Sequence, residues 1–214
     1  MRTAYVVTHP EATHHVEGLV GGWYDSRLTP AGLAAADAIG ARLREAIPRS
    51  AAVELYSSDL TRTRQTAQAI GAHLRVEPAL DHRLREKSYG EAEGAPQAWL
   101  DRRFVPPPAT GERMRHDEGI AGAETKRACA DRVYAALADI TAREAEYQII
   151  VTHGGAATFV IAAWMRLPVE ALAYATFRVA SGSITRLVED DFFHNRSLVS
   201  LGDTTHLTHL THLT

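Results

Sequence analysis

Short apolar runs and longer segments with helical spacing alternate along the chain. Residues 3–8, 53–57 and 147–152 are runs of apolar and β-branched residues. Such runs are typical of strands buried inside a parallel sheet. Residues 183–188 and 197–201 predict two further strands near the end of the chain. The alternation of strands and helices predicts an α/β fold with a parallel sheet.

The helical segments are marked by caps and by apolar residues at steps of three and four. Thr29 and Pro30 predict a helix start, with the threonine as N-cap and the proline in the first turn. The predicted helices cover about 30–47, 60–73, 124–144 and 154–165. The predicted inward positions of the first two are Leu33, Ala36, Gly40, Leu43 and Ile47, then Leu60, Ala67 and Ile70.

Residues 82–122 differ in composition, because glycine and proline recur throughout them. We expect a lid-like insertion at about 87–122, with one short helix around 97–103, since long irregular stretches inside a domain usually have a function. The chain is expected to form a single domain over 1–214, and its end at 204–214 contains a repeated His-Leu-Thr unit.

Composition narrows the possible roles. The chain has 214 residues, a formal net charge of −3 and 45% hydrophobic residues. This charge gives no reason to expect a nucleic-acid or membrane partner. Cys129 is the single cysteine, which suits a reducing compartment, and no apolar run approaches the length of a membrane span. A cytoplasmic location is expected, and the oligomeric state is not predicted.

Two histidines close two of the predicted strands. His9 follows the run 3–8, and His153 follows the run 147–152. In open α/β sheets, ligands bind at the carboxyl ends of the strands. The two imidazoles are therefore expected in one pocket, an arrangement that indicates phosphoryl-group chemistry.

Several motifs resemble the phosphoglycerate-mutase-like branch of the histidine phosphatase superfamily. They are, in the family's order, THPEAT, GGWYDSRLTPAG, YSSDLTRTRQTA, LREKSYGEAEG, GAET and VTHGG. The resemblance implies a three-layer α/β/α sandwich with a mostly parallel central sheet. It also implies a metal-independent phosphoric monoester hydrolase that acts on a small phosphorylated metabolite through a phosphohistidine, with no cofactor.

The resemblance assigns roles to individual residues. His9 aligns with the nucleophile, Glu86 with the general acid and His153 with the second histidine, which would stabilise the transition state. Residues expected to contact the phosphate are Thr8, His15, Arg62 and Gly154.

The first motif departs from the family's Arg-His-Gly-Glu-Thr. Thr8 replaces the arginine, Pro10 replaces the glycine, and His15 stands where the family has an asparagine. Two interpretations follow. Either another cation fills the site, with His14, His15, Arg83 and Lys87 as candidates, or the ligand has less negative charge than a phosphate monoester.

Three other functions remain open. The chain could bind a phosphorylated ligand without turnover, as the departures at Thr8 and Pro10 suggest. It could be a phosphomutase, although the stretch between Glu86 and Glu124 is short for that group. A metal site made from His9, His14, His15 and His153, or from the tail histidines, is disfavoured because no Asp or Glu ligand spacing accompanies them.

Overall fold

A computed structural model describes residues 1–208 of the chain. Its six-stranded sheet has the order β3-β2-β4-β1-β5-β6. The first four strands in this order are mutually parallel, β5 runs antiparallel to β1, and β6 runs antiparallel to β5. The strands are β1 Arg2–Thr8, β2 Val53–Ser57, β3 Ala79–Leu80, β4 Tyr147–Thr152, β5 Ile184–Glu189 and β6 Arg196–Asp203.

The central strands are apolar on both faces because helices cover the sheet from both sides. Along β1, Ala4 and Val6 join one buried cluster, and Tyr5 and Val7 join the other. This alternation follows from the two-residue period of a strand. The helices are α1 Thr13–Val16, α2 Pro30–Ala46, α3 Thr61–Leu74, α4 Gln97–Asp101, α5 Lys126–Thr141 and α6 Gly154–Trp164.

Helices α2 and α3 pack on one face of the sheet through Ile39, Leu43 and Ile70. Helices α5 and α6 pack on the opposite face, where Leu137 and Ile161 are part of the second cluster. The molecule therefore has three layers with a mostly parallel central sheet, which confirms the predicted fold class.

Two details of the predicted helices are wrong. Leu33 is 47% exposed, because the buried face of α2 is centred on Ala36, Ile39 and Leu43 and leaves Leu33 at its edge. Helix α5 begins at Lys126 rather than at residue 124, because the Thr125 hydroxyl caps it by accepting a bond from Ala128 N at 3.1 Å.

The predicted insertion packs against the loop that follows α1. Leu19 pairs with Pro96 in an isolated bridge, and Val20, Leu100 and Ile120 share a small buried cluster. Its short helix, α4, ends two residues before the predicted limit at 103. The insertion thus contributes to one wall of the space beyond the ends of β1 and β4.

A single turn of 3-10 helix, Thr205–Leu207, follows β6 and packs beside α2. The rest of the His-Leu-Thr repeat, including His209 and His212, lies outside the described residues. Within residues 1–208, no helix is both long enough and apolar enough to cross a membrane.

Candidate active site

A cavity of about 400 Å³ opens at the carboxyl ends of β1 and β4. Thr8 and Thr152 are paired in the sheet register, so the histidines that follow them lie side by side, with ring centroids 5.1 Å apart. All seven predicted site residues line this cavity: Thr8, His9, His15, Arg62, Glu86, His153 and Gly154. Their roles remain predictions, but the structure brings them together.

His9 is held in one tautomer by its two hydrogen bonds. Its Nδ1 lies 2.8 Å from the carbonyl oxygen of Pro10, which can only accept, so Nδ1 carries the proton. Its Nε2 accepts a bond from Arg62 Nε at 3.2 Å. Burial, followed by the Arg62 charge, lowers the pKa of His9 well below its ordinary value. The ring is therefore a neutral imidazole with its lone pair on Nε2.

Arg62 lies in the first turn of α3 and is 1% exposed. Its Nη1 donates to Tyr24 O and its Nη2 to Gly22 O, each at 2.7 Å. Burial lowers the pKa of this guanidinium to about 10, although the nearby Glu86 carboxylate acts to raise it. The side chain therefore stays charged at neutral pH. Since the loop after α1 holds it through neutral carbonyls, its charge is available to an anionic ligand.

His14 and His15 project from the short helix α1 toward the same cavity. The His15 ring stacks on His9 with centroids 5.6 Å apart, and its Nδ1 accepts the Ala12 backbone N–H. His14 Nδ1 lies 2.6 Å from the Ser26 hydroxyl. Burial is the first cause that lowers the pKa of both rings, to about 3 for His14. Neither ring is therefore the cation that could replace the family's arginine at the position of Thr8.

His153 is the N-cap of α6 and is 1% exposed. Its Nε2 lies 3.0 Å from the Ser58 hydroxyl, and its Nδ1 is buried without a partner among the described residues. Burial, then Arg62 and His9, lower the pKa of His153 well below its ordinary value. The adjoining Gly154 N–H belongs to the first turn of α6, where an anion is favoured.

Glu86 caps helix α6. Its carboxylate accepts the N–H groups of Gly155 at 2.8 Å, Ala156 at 2.9 Å and Lys87 at 2.9 Å. These are the surroundings of an anion at a helix N-terminus. The proposed acid therefore lies at the cavity wall with its oxygens already engaged.

Thr8 lines the cavity, but its hydroxyl proton is directed elsewhere. Its Oγ1 donates to Ala180 O at 2.6 Å and accepts the Ser183 backbone N–H at 3.1 Å. The threonine thus joins β1 to the loop 180–183. In this geometry the hydroxyl proton is bound to Ala180 O, and contact between Thr8 and phosphate stays a prediction.

Arg83 and Lys87, the other two candidates for a replacement cation, are not among the residues that line the cavity. Arg83 pairs with Asp81 and Asp139, and Lys87 pairs with Glu118. Of the side chains that line the cavity within residues 1–208, Arg62 alone carries a permanent positive charge.

Sequence reasoning missed the support of the Glu86 backbone. Arg132 on α5 donates to the carbonyl oxygens of Arg85 and Glu86 and pairs with Glu124 at 2.7 Å. The Trp23 indole also donates to Glu86 O at 2.7 Å. The GGWYDS motif was the available signal for Trp23, whereas Arg132 lies in an ordinary amphipathic helix.

The four imidazoles of the cavity do not form a metal site. Among residues 1–208, no group of three or more His, Cys, Asp or Glu side chains is arranged to hold a metal ion. The chemistry that this arrangement offers is attack by a neutral imidazole beside one guanidinium.

Known proteins resemble this chain over nearly its whole length. One relative, named "Probable phosphoglycerate mutase GpmB" of Salmonella paratyphi C, is 30% identical over 219 residues, covering 97% of this chain and 95% of the relative. A mycobacterial glucosyl-3-phosphoglycerate phosphatase, solved in complex with VO3, is 25% identical with a TM-score of 0.75, covering 95% and 100% of the two chains.

YhfR of Bacillus stearothermophilus is 26% identical with a TM-score of 0.76, covering 97% of this chain and 100% of its own. The family description "Histidine phosphatase superfamily (branch 1)" matches residues 4–201. Because that match includes both histidine-bearing strands, the chain belongs to branch 1 of the histidine phosphatase superfamily.

Proposed function

We propose that this protein hydrolyses a phosphate monoester of a small metabolite, without a metal ion, through a phosphohistidine on His9. The observation that carries the proposal is the His9 tautomer. With Nδ1–H bound to Pro10 O, the lone pair of this cavity-lining ring is on Nε2, where it accepts a bond from Arg62 Nε–H. A nucleophile fixed in this way beside a phosphate-binding cation can attack phosphorus in line.

Two displacements complete the reaction. In the first, Nε2 forms a bond to phosphorus, and the ester P–O bond breaks with its electrons on the leaving oxygen, which takes up a proton. In the second, water attacks phosphorus and the P–N bond returns its electrons to Nε2. In this proposal Glu86, whose carboxylate lines the cavity, accepts the proton of that water. The Gly154 N–H and Arg62 would bind the phosphoryl oxygens.

The test is phosphate release from a broad panel of phosphate monoesters with EDTA present. We compare wild type with His9→Ala, and with His82→Ala, an exposed histidine, as the matched control. Activity that resists EDTA, disappears in His9→Ala and persists in the control supports the proposal. Acid-labile phosphate on wild type but not on His9→Ala would identify the intermediate. Full activity in His9→Ala would contradict it.

A second candidate function, binding without turnover, is favoured by one observation. The Thr8 hydroxyl donates to Ala180, and within residues 1–208 a single guanidinium lines the cavity. Tight binding of inorganic phosphate with no release from any ester in the panel would favour binding without turnover.

A third candidate, phosphomutase activity, is favoured by the name of the Salmonella relative. Transfer of phosphate between two positions of a metabolite, in excess of its release, would identify it.

A further inference from the structure

We propose, building on the hydrolase reading above, that the site takes the phosphoryl group with a single negative charge, and that the leaving oxygen takes the proton that enters with it. The substrate class is therefore a phosphate ester bound as its monoanion. The inference comes from the charges and hydrogen-bond partners around the cavity.

The cavity holds one permanent cation opposite one carboxylate. The titratable or charged side chains that line it in the described part of the chain are His9 at the end of β1, His14 and His15 on α1, Arg62 on α3, Glu86 and Tyr89 before α4, and His153 at the end of β4. Burial keeps the Tyr89 phenol protonated by raising its pKa. Backbone N–H groups at the start of α6 stabilise the charge of Glu86, which leaves Arg62 as the cation available to a ligand.

Hydrogen bonding makes the two stacked imidazoles neutral, independently of their pKa values. His9 Nε2 accepts from Arg62, and His15 Nδ1 accepts the Ala12 N–H. A nitrogen that accepts such a bond carries no proton. Protonating either ring would therefore break a bond that the structure contains. The lowered pKa values of His14 and His153 point the same way.

Among the residues that the structure describes, a dianion entering this cavity would meet one guanidinium only. Three N–H groups of Arg62 already donate to the protein: Nε to His9, Nη1 to Tyr24 O and Nη2 to Gly22 O. The hydroxyl of Thr8, which stands in place of the family's arginine, donates to Ala180. Since an unpaired charge is strongly disfavoured at a buried site, one negative charge is balanced here and the second is not.

The surroundings of Glu86 indicate why the phosphoryl group should bring its own proton. Both oxygens of Glu86 accept backbone N–H groups at the start of α6. The ester oxygen still needs a proton when its bond to phosphorus breaks. A phosphoryl group that arrives as –PO3H⁻ carries that proton: it moves to the leaving oxygen, the alcohol departs neutral, and the phosphohistidine retains the single net charge.

The test is the pH dependence of kcat/KM for two aryl phosphates that differ in second pKa. Phosphate monoesters lose their second proton near pH 6, and a nitro group on the ring lowers that value. With wild-type protein, kcat/KM should fall about tenfold per pH unit above the second pKa of each ester. The fall should begin at lower pH for the nitrophenyl ester. A fall at the same pH for both esters would assign it to a group of the protein and overturn the inference.

Binding of inorganic phosphate separates this inference from the proposed function. Titration calorimetry at about pH 8, in two buffers of different ionisation enthalpy, should show uptake of about one proton per phosphate bound. Proton uptake with no ester hydrolysis would contradict the proposed hydrolase activity and support binding of the phosphate monoanion. Ester hydrolysis without proton uptake would support the hydrolase activity and contradict binding of the monoanion. Absence of phosphate binding from about pH 5 to 8 would overturn both.

A matched pair of variants tests the role of the carboxylate. Glu86→Gln removes the negative charge of the cavity and should strengthen phosphate binding at about pH 8 by about tenfold, with less proton uptake. Glu91→Gln, an exposed glutamate of the same insertion, should leave both unchanged. Equal binding and proton uptake in wild type and Glu86→Gln would contradict the charge argument.

Discussion

Arg62 is a buried guanidinium that the described structure pairs with carbonyl oxygens and an imidazole instead of a carboxylate. A carboxylate partner would neutralise it before any ligand arrived. The neutral cradle formed by Gly22 and Tyr24 leaves its charge uncompensated at short range. Its Nε–H donates to the lone pair of His9 Nε2. This hydrogen bond must break, with the N–H donating to the phosphoryl group instead, before Nε2 can attack phosphorus.

Replacing Arg62 tests this arrangement. Arg62→Lys keeps the charge but cannot reach Gly22, Tyr24 and His9 together, because an ammonium lacks the planar fork. We expect kcat/KM to fall by about 10²–10³, with KM rising and kcat falling. Arg64→Lys, on an exposed part of the same helix, is the matched control and should change neither constant. Equal kinetics for the two variants would remove Arg62 from the site.

At this scale the sequence predicted which side chains meet but not what holds them. His9, His153 and Arg62 follow apolar runs whose carboxyl ends share one edge of a sheet, so their meeting follows from periodicity and topology. The partners of Arg62 and Thr8 are backbone carbonyls of distant loops. Any residue supplies a carbonyl, so such contacts leave no pattern in the sequence.

At the scale of elements, the first turn of α6 joins the two halves of the site. His153 is the N-cap residue of the helix, and N–H groups of the first turn bind Glu86, which comes from a different part of the chain. Gly155 permits this approach, since a Cβ there would lie 2.6 Å from Glu86 Oε1. A Cβ at Gly154 would have no heavy atom within 4 Å.

The two glycines form a matched pair for a stability measurement. Gly155→Ala should lower the free energy of unfolding by about 1–3 kcal/mol, because Glu86 must release its N–H donors to make room. Gly154→Ala should leave it unchanged or raise it by about 0.5–1 kcal/mol, since alanine favours a helix over glycine. Urea unfolding of both variants checks this. An equal loss in both would show that the Glu86 contact is not the cause.

The start of α2 was predicted from its cap, whereas the start of α5 was missed although its cap, Thr125, is equally local. Thr29 and Pro30 fixed the start of α2 within the sequence itself. Glu124 was mistaken for the beginning of α5, because its real partner is Arg132 and the adjacent Thr125 is the cap. The path of residues 87–122 depends on contacts with the loop after α1, which no periodicity reveals.

At the scale of the whole molecule, the loop 180–183 connects the end of strand β1 to the turn that follows β6. His9 O accepts bonds from Gly182 N at 3.1 Å and from the Ser181 hydroxyl at 2.9 Å. Gly182 O accepts a bond from His206 Nε2 at 3.0 Å. The turn 205–207 is thus two hydrogen bonds away from the proposed nucleophile.

His206→Ala should disturb His9 without disturbing the sheet. We expect kcat/KM to fall by several-fold and the free energy of unfolding to fall by about 1 kcal/mol, as for one lost hydrogen bond. KM should change less than kcat, because Arg62 and Gly154 would be unmoved. His82→Ala is again the control. A loss of stability with no change in kcat would mean that the turn has only a structural role.

The contact between the turn 205–207 and the loop 180–183 affects how the protein loses activity when it is heated. Chain segments outside the central sheet open at lower free energy than the core strands. Because β6 lies at the edge of the sheet and the turn follows it, this segment is expected to fray first. Catalysis should therefore disappear at a temperature where the circular dichroism of the helices is still intact, so that the protein fails as a catalyst before it fails as a fold.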